Sequence, residues 1–544
     1  MSRVDRSELR WVLVWAVLIV LLASVPYVYG TWLTPPGCTF LGLTHNIDDG
    51  AVYLSWMRQA ADGHFFERNL FTSEPQPAQP PVRSPVRQFN VLFLAMGWFA
   101  AVTHLPLIVV FHLFRGVLGI ALILCIWRFS KLFLDDPNQR KLLIPLVGLS
   151  AGIGWLIPNA TMPTGAVDVW QPEAITFLSI YLNPLFLAGL LLMIGAFYWL
   201  ELARREGKAR CAVYAGLHLL ALGNVHTYDV LTAACVWTAY LIVVWATEKR
   251  FPARTVGLTA LAAAIAVPSI AYQFWVYFTD PIFAARANTE IASPPIWSFF
   301  EGYGLILIGA LAAAVVAWKN LKSKIVNLKF ILVWSVVGFA IPYIPIAQQR
   351  KLVMGLHIPL CILCAYALSR LLPRLPGTLG RTVFLAILVV AAGSNAKFLS
   401  RDMGMLSQGI TAPQFSAYIG DSELRAMGYL REHATARDSI LAPPAFSLFV
   451  PAFTGRHVCY GHWSETPNYA EKRAQWVALG SSWGGTSYWL DLLAASRATY
   501  YVSESRAFDP PPALRSCFAT CFRSGDVRVY RFYADARIKG AHRP

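Results

Sequence analysis

Two adjacent carboxylates, Asp48 and Asp49, stand in the stretch HNIDDGAVYLSWMRQAADGHFFERNLFTSEP, just ahead of a run whose apolar residues recur at helical spacing. A carboxylate held at a fixed point can take a proton from an incoming hydroxyl. The same two residues also suit a structural task, because acids at a helix start cap it or complement its dipole. Asp49, Tyr53, Trp56 and Ala60 fall on one helical face, which predicts an aromatic stripe against a membrane surface below the acids, with the carboxylates facing a cleft. Pro75, Pro77, Pro80, Pro81 and Pro85 interrupt the chain beyond this helix and predict an irregular strap.

Cations and further polar groups gather elsewhere. Gln348, Gln349, Arg350 and Lys351 directly precede an apolar run. There Arg350 offers a fork and Lys351 a point charge to a phosphate, and lipid-headgroup contact is the alternative. Arg115 lies near the start of another apolar run, where snorkelling explains it equally well. The turn ALGNVHTYDVL brings Asn224, His226, Tyr228 and Asp229 to the ends of two apolar helices, as sugar-hydroxyl ligands or as helix caps. His357 reads either as a core histidine or as a substrate ligand. Loops holding Asp168 and Glu173, or Asp280, Arg286, Asn288 and Glu290, read as solvated charge or as an acceptor-site lining. No cluster shows diagnostic metal-ligand spacing, so no metal ligand is assigned and a divalent ion stays open.

The elements that must position these groups are membrane helices. The chain has 544 residues, 56% hydrophobic and 14% charged, with a mean hydropathy of +0.48, which is too apolar for a soluble protein of this length. Apolar runs fall near residues 11–30, 108–129, 142–158, 174–200, 212–224, 229–247, 255–278, 302–318, 329–347, 352–372 and 381–398. Each is read as a crossing, giving about eleven. With the basic N-terminus (Arg3, Arg6, Arg10) inside, the later basic connectors fall inside too, around Arg128 and Lys131, Arg204 and Arg205, Lys249 and Arg250, and Arg370 and Arg374. The same count puts Asp48, Asp49, Asp229, Arg350 and Lys351 on the outer face.

Two choices shape this topology. The run Phe89 to Val102 is read as a helix lying on the outer surface, since a crossing there would turn most basic connectors outward. The first apolar run is read as retained rather than cleaved, because it lacks a small-residue cleavage site and ends on Tyr27 and Tyr29. The net charge of +16 is thereby spent on topology and gives no reason to expect nucleic acid as a partner. The expected organisation is a membrane domain over 1–400, with a large first outer loop over 31–107, and an extracytoplasmic α/β domain over 401–544.

In that last part apolar runs shrink to strand length, and LRAMGYLREH, SILAPP, HVCY, EKRAQW, ATYYVS and VRVYRF predict roughly four strands and three helices. His462 and Glu465, in GRHVCYGHWSETPNYAEKRAQ, read as groups reaching an acceptor, against a reading in which Ser464, Thr466 and Pro467 simply start the next helix. Of nine cysteines, Cys517 and Cys521 suggest a disulfide in an oxidising compartment, although the sequence fixes no pairing.

The order of basic tail, first span, acidic pair in the first outer loop, aromatic helix, Gly63 followed by aromatics, and surface helix resembles the GT-C superfamily of membrane glycosyltransferases. The likeness is to bacterial polyprenyl-phosphate-sugar-dependent transferases, a group related to aminoarabinose and protein mannosyl transferases. It rests on motif over the first 130 or so residues and on architecture alone beyond them. It implies a transferase of the inner membrane that moves a sugar from a polyprenyl phosphate to a hydroxyl of a lipid, glycan or protein on the outer face. It further implies that the first-loop acid is catalytic, with the family's Asp-Glu pair matched by Asp48 and Asp49. Such chemistry needs the acceptor deprotonated as the bond forms and cations to hold the departing phosphate. A multi-pass transporter or flippase is the rival class, but it would keep ionisable groups at mid-membrane and show paired broken helices.

Overall fold

The computed structural model describes residues 3–73, 88–158, 161–280, 283–284, 287–319, 328–412, 415–480 and 485–533. The proline strap over Pro75 to Pro85, and Arg286, lie outside the described residues. The chain divides into two compact units, the first holding 1–28, 111–274 and 288–404, and the second 29–110, 275–287 and 405–544.

The protein is a polytopic α-helical membrane protein. Among the described residues eight helices are long and apolar enough to cross a membrane: Arg6–Trp32, Leu107–Ser130, Pro184–Glu206, Tyr228–Glu248, Ala253–Thr279, Ile296–Val316, Gln349–Arg374 and Leu379–Ser407. Three of the eleven expected crossings are shorter. The run near 142–158 forms only Pro137–Leu149, because the chain leaves the helix at Ser150 to enter a loop. The run near 212–224 forms Ala209–Val225, and that near 329–347 forms Lys329–Ala340, which tightens into a 3-10 turn at Pro342. The expected crossing 174–200 is also two helices, Thr176–Leu182 and Pro184–Glu206. Asn183 caps the second by accepting the Phe186 N–H at 3.0 Å, and Pro184 takes the first helical position, where its missing N–H costs nothing.

In the first unit one continuous core runs through these helices, with Phe129, Phe197, Phe330 and Trp334 buried edge to face. Asp168 organises the 150–169 loop: its Oδ2 accepts the N–H groups of Gly152 and Gly154 at 2.9 and 3.2 Å.

The second unit joins the first loop to the C-terminal chain. Its strands are β1 (Cys38–Phe40), β2 (Ile410–Ala412), β3 (Phe415–Ser416), β4 (Tyr418–Gly420), β5 (Ser439–Leu441), β6 (His457–Val458), β7 (Tyr500–Ser503), β8 (Phe518–Ser524) and β9 (Val527–Phe532). β1 pairs antiparallel with β4, which ties the start of the loop to the later chain. β6, β5, β7, β9 and β8 form one sheet in that order, parallel across β6, β5 and β7 and antiparallel beyond. Among the described residues five strands stand where four are expected. Four α-helices among them, Asp421–His433, Pro444–Thr454, Tyr469–Leu479 and Thr486–Ser496, stand where three are expected.

Cys517 and Cys521 are both free thiols. Cys521 lies within β8 and Cys517 just before it, and four residues of extended chain span roughly 13 Å, beyond the roughly 7 Å that a disulfide bridges.

The helix Ile47–Ala61 stops at Asp62, followed by Gly63 at φ +91°, a backbone state that glycine adopts without strain. Against it packs Val91–Thr103, started by Asn90, whose side chain accepts the Leu92 N–H at 3.1 Å. With 13 residues this helix is about 20 Å long, too short to cross a hydrocarbon core. The two helices meet at Gly97, where a methyl group would stand 2.5 Å from both Ala60 Cβ and the Met57 carbonyl. The aromatic stripe accordingly covers protein rather than membrane: Tyr53 stacks on Phe93 at 5.0 Å and Trp56 tilts against it at 5.3 Å, all three buried.

Candidate active site

Asp48 and Asp49 occupy the first turn of Ile47–Ala61, where the helix dipole favours their charge. Asn46, not an aspartate, is the N-cap residue. Both acids are partly exposed, and the Asp48 carboxylate also meets the backbone N–H groups of Asp48 and Asp49 in its own helix turn.

The partner that reaches them comes from far along the chain. After β6 the backbone turns through Gly461 to Thr466, closed by the Thr466 N–H donating to the His462 carbonyl at 2.9 Å. The Thr466 hydroxyl accepts the Gly461 N–H at 3.1 Å and donates to the Phe71 carbonyl at 2.7 Å. Asn69 donates to the Glu465 carbonyl at 2.8 Å, and the Val458 N–H donates to the Leu70 carbonyl at 2.9 Å. The first loop is therefore hydrogen-bonded along one side of β6 and of the turn after it.

This stitching aims His462 at the acids. Its Nε2 lies 3.8 Å from Asp48 Oδ2 and 3.7 Å from Asp49 Oδ1, and its side chain is 1% exposed. Nδ1 accepts the backbone N–H of Ser464 at 3.2 Å, so in the neutral ring the proton sits on Nε2, the nitrogen that faces both carboxylates. The next residue completes the arrangement: the Trp463 indole N–H donates to Asp48 Oδ2 at 3.0 Å. Burial pushes the Asp48 carboxyl above the usual carboxylate range, the charge of Asp49 adds to this, and His462 and nearby backbone N–H groups oppose it.

Other expected site residues take varied places. Glu465 is buried in the turn, where its backbone makes the contacts above. Tyr53 lies under the acids as core. In the first unit, the Arg350 guanidinium is 3.7 Å from Glu173 Oε1 and 5.3 Å above the Trp170 ring, and one quarter exposed. Lys351 Nζ lies 5.0 Å from the Tyr228 ring centre. His226 Nδ1 pairs with the fully buried Asp229 at 3.1 Å, packed so closely on Gly189 that a methyl group there would meet Asp229 Oδ2 at 2.9 Å. Asn224 is half-buried on the last turn of the preceding helix.

Three expected residues are taken up by structure. Arg115 is buried, donating to Ser24 Oγ at 2.8 Å, the Ile180 carbonyl at 3.1 Å and His112 Nδ1 at 3.2 Å, with Tyr27 beneath it. It joins three helices. His357 is the hydrogen-bonded core histidine, with Thr176 Oγ1 at 3.1 Å, Ser150 Oγ at 3.2 Å and Tyr303 stacked on the ring. Asp280 is likewise buried, its carboxylate accepting the Phe283 N–H at 3.3 Å.

Sequence reasoning missed Trp463. Its only signal is an aromatic residue beside His462 in a turn after a strand, and nothing local tells such an indole from surface decoration. Among the described residues no group of three or more His, Cys, Asp and Glu is arranged to hold a metal ion.

No family model matches the sequence, and comparison with curated proteins gave no match. Solved structures do match. The aminoarabinose transferase ArnT from Cupriavidus metallidurans, bound to undecaprenyl phosphate, superposes with a TM-score of 0.53 at 13% identity, over 96% of this chain and 98% of that one. The arabinofuranosyltransferase AftD from Mycobacteria gives 0.55 at 15% identity, over 98% of this chain and 40% of that one. The Archaeoglobus fulgidus oligosaccharyltransferase in its apo form gives 0.53 at 10% identity, over 90% and 69%. The chain thus spans less than half the length of the arabinofuranosyltransferase. These structures are GT-C glycosyltransferases, and the chain has their fold.

Proposed function

We propose that this protein is a membrane glycosyltransferase that moves a sugar from a polyprenyl-phosphate donor to an acceptor hydroxyl on the outer face of the membrane, with Asp48 as general base. The observation that carries the reading is the convergence of His462 and Trp463 on the Asp48–Asp49 pair. A structural acid at a helix start needs no such partners.

Each residue then has a task. Asp48, raised above the usual carboxylate range by burial and by Asp49, is a stronger base than a solvated aspartate. It takes the acceptor proton as the oxygen attacks the anomeric carbon and the bond to the donor phosphate breaks, leaving polyprenyl phosphate. Trp463 joins the backbone N–H groups that orient the Asp48 carboxylate, and His462, with its Nε2 3.8 and 3.7 Å from the two acids, moderates their repulsion electrostatically. In the first unit, Arg350 and Lys351 are assigned the phosphate of the donor lipid, Arg350 as the forked donor and Lys351 as a point charge. Arg115 is left with its helix-joining role. His226, Asp229 and Asn224 are assigned to sugar hydroxyls.

The fold shared with a transferase bound to undecaprenyl phosphate supports this choice of donor. The orientation, with the N-terminus in the cytoplasm and the C-terminal domain outside, is supported by the distribution of basic connectors. The test is transfer from a panel of labelled polyprenyl-phosphate sugars by the purified protein in lipid nanodiscs. Transfer with at least one donor supports the reading, and none with any donor across lipid acceptors, glycans and peptides counts against it.

A further inference from the structure

On the second unit, away from the two aspartates along β6, lies a cleft of about 470 Å³, within the size range of small-ligand sites. Arg68, Arg437 and Arg497 line it, together with His457, Thr72 and Asn69. All three arginines are exposed, and among the described residues none of their guanidinium groups is engaged by a carboxylate or another acceptor. The one acid in the lining, Asp438, is spent on the Thr435 N–H at 2.7 Å, the Thr435 hydroxyl at 2.8 Å and Arg531 at 3.2 Å. Three uncompensated guanidinium groups around one concavity repel each other, an arrangement that a bound oxyanion relieves.

The topology says how the cleft arises. Arg437 lies two residues before β5, His457 begins β6 and Arg497 lies three residues before β7, so the cleft gathers at the N-terminal ends of three parallel strands. His462, by contrast, follows the C-terminal end of β6. Arg68 arrives on the first-loop segment that runs hydrogen-bonded beside β6. The sheet thus has two distinct polar ends.

We propose that this cleft is a binding site for a phosphate group, held by Arg68, Arg437 and Arg497. The inference does not depend on the glycosyltransferase reading, because the cleft shares no residue with the acid pair. The phosphate is either that of a soluble phosphorylated sugar or that of a lipid headgroup, and the guanidinium forks recognise the same oxygens in both.

The test is isothermal titration of the full-length protein in phosphatidylcholine nanodiscs with inorganic phosphate and with glucose 1-phosphate. Saturable binding is expected, weakened about tenfold or more by each of Arg68→Gln, Arg437→Gln and Arg497→Gln, and less by the corresponding lysine variants. Exposed positions such as these tolerate the change, and an unaltered melting curve confirms it. If nanodiscs containing 30% phosphatidylglycerol abolish phosphate binding, the site takes a lipid headgroup; if glucose 1-phosphate binds more tightly than inorganic phosphate and the anionic lipid does not compete, it takes a soluble ester. Either result supports the proposal. Absence of saturable binding, or binding indifferent to all three arginine variants, overturns it. No turnover is measured, so failure here leaves the reaction assignment untouched.

Discussion

The indole N–H of Trp463 donates to Oδ2 of Asp48 across 3.0 Å, joining residues 415 positions apart in the chain. The bond adds an indole N–H to the backbone N–H groups that hold the carboxylate, and it gives an exposed tryptophan a polar task. Trp463→Phe keeps an aromatic ring and removes the donor. A hydrogen bond to a charged acceptor contributes on the order of 1.5–3 kcal/mol, so kcat/KM is expected to fall about tenfold or more, with no change in melting temperature. Unchanged kinetics would show that the bond plays no part in the reaction.

The pH–rate profile carries signs that two variants must push in opposite directions. As a base Asp48 works only when ionised, so activity falls as pH drops through its folded pKa. Burial and Asp49 raise that pKa, while His462 lowers it. Asp49→Asn is therefore expected to move the acid limb to lower pH, and His462→Gln to move it to higher pH. Shifts of the same sign in both variants would contradict the assignment.

Asp168 gives a stability test in the first unit. Burial holds its carboxyl at about 6, against 3.8 for a solvated one. A folded pKa raised in this way contributes stability that is present below 3.8 and lost as pH rises through about 6, up to about 3 kcal/mol. Asp168→Asn is expected to flatten the fall in melting temperature over that window, because the amide oxygen still accepts from Gly152 and Gly154. Asp168→Ala strands both N–H groups and is expected to cost about 2–3 kcal/mol at every pH. Thermal unfolding in detergent between pH 4 and pH 7 measures both.

Arg350 tests the donor assignment. Arg350→Ala is expected to raise KM for the lipid donor about tenfold while changing kcat little, with Arg350→Lys between the two. A fall in kcat at constant KM would move Arg350 out of the phosphate role.

Much of the fold was legible in the sequence, for physical reasons. Crossing helices announce themselves through long runs of apolar residues, and strands through apolar runs of strand length bounded by turn residues, so the membrane part and the terminal sheet are legible directly. Helix ends were harder, because the stop at Ser150 and the break at Asn183 are set by local hydrogen bonds within runs that remain apolar. Asp48 and Asp49 stood out as an acidic pair on a loop. Their partners did not, since nothing near residue 48 specifies that β6 and the turn after it lie beside the loop. Tyr53 and Trp56 share one face, as their spacing predicts, yet periodicity cannot tell whether such a face meets lipid or another helix, and here it meets Phe93.

The most direct measurement is single-turnover transfer by Asp48→Asn, compared with wild type and Asp49→Asn, using whichever polyprenyl-phosphate sugar the wild type accepts. The amide is nearly isosteric and keeps the Trp463 bond, but it cannot take a proton. Transfer by Asp48→Asn is expected to fall at least about 100-fold, with donor binding retained and a smaller loss in Asp49→Asn. Transfer at the wild-type rate by Asp48→Asn would contradict the account.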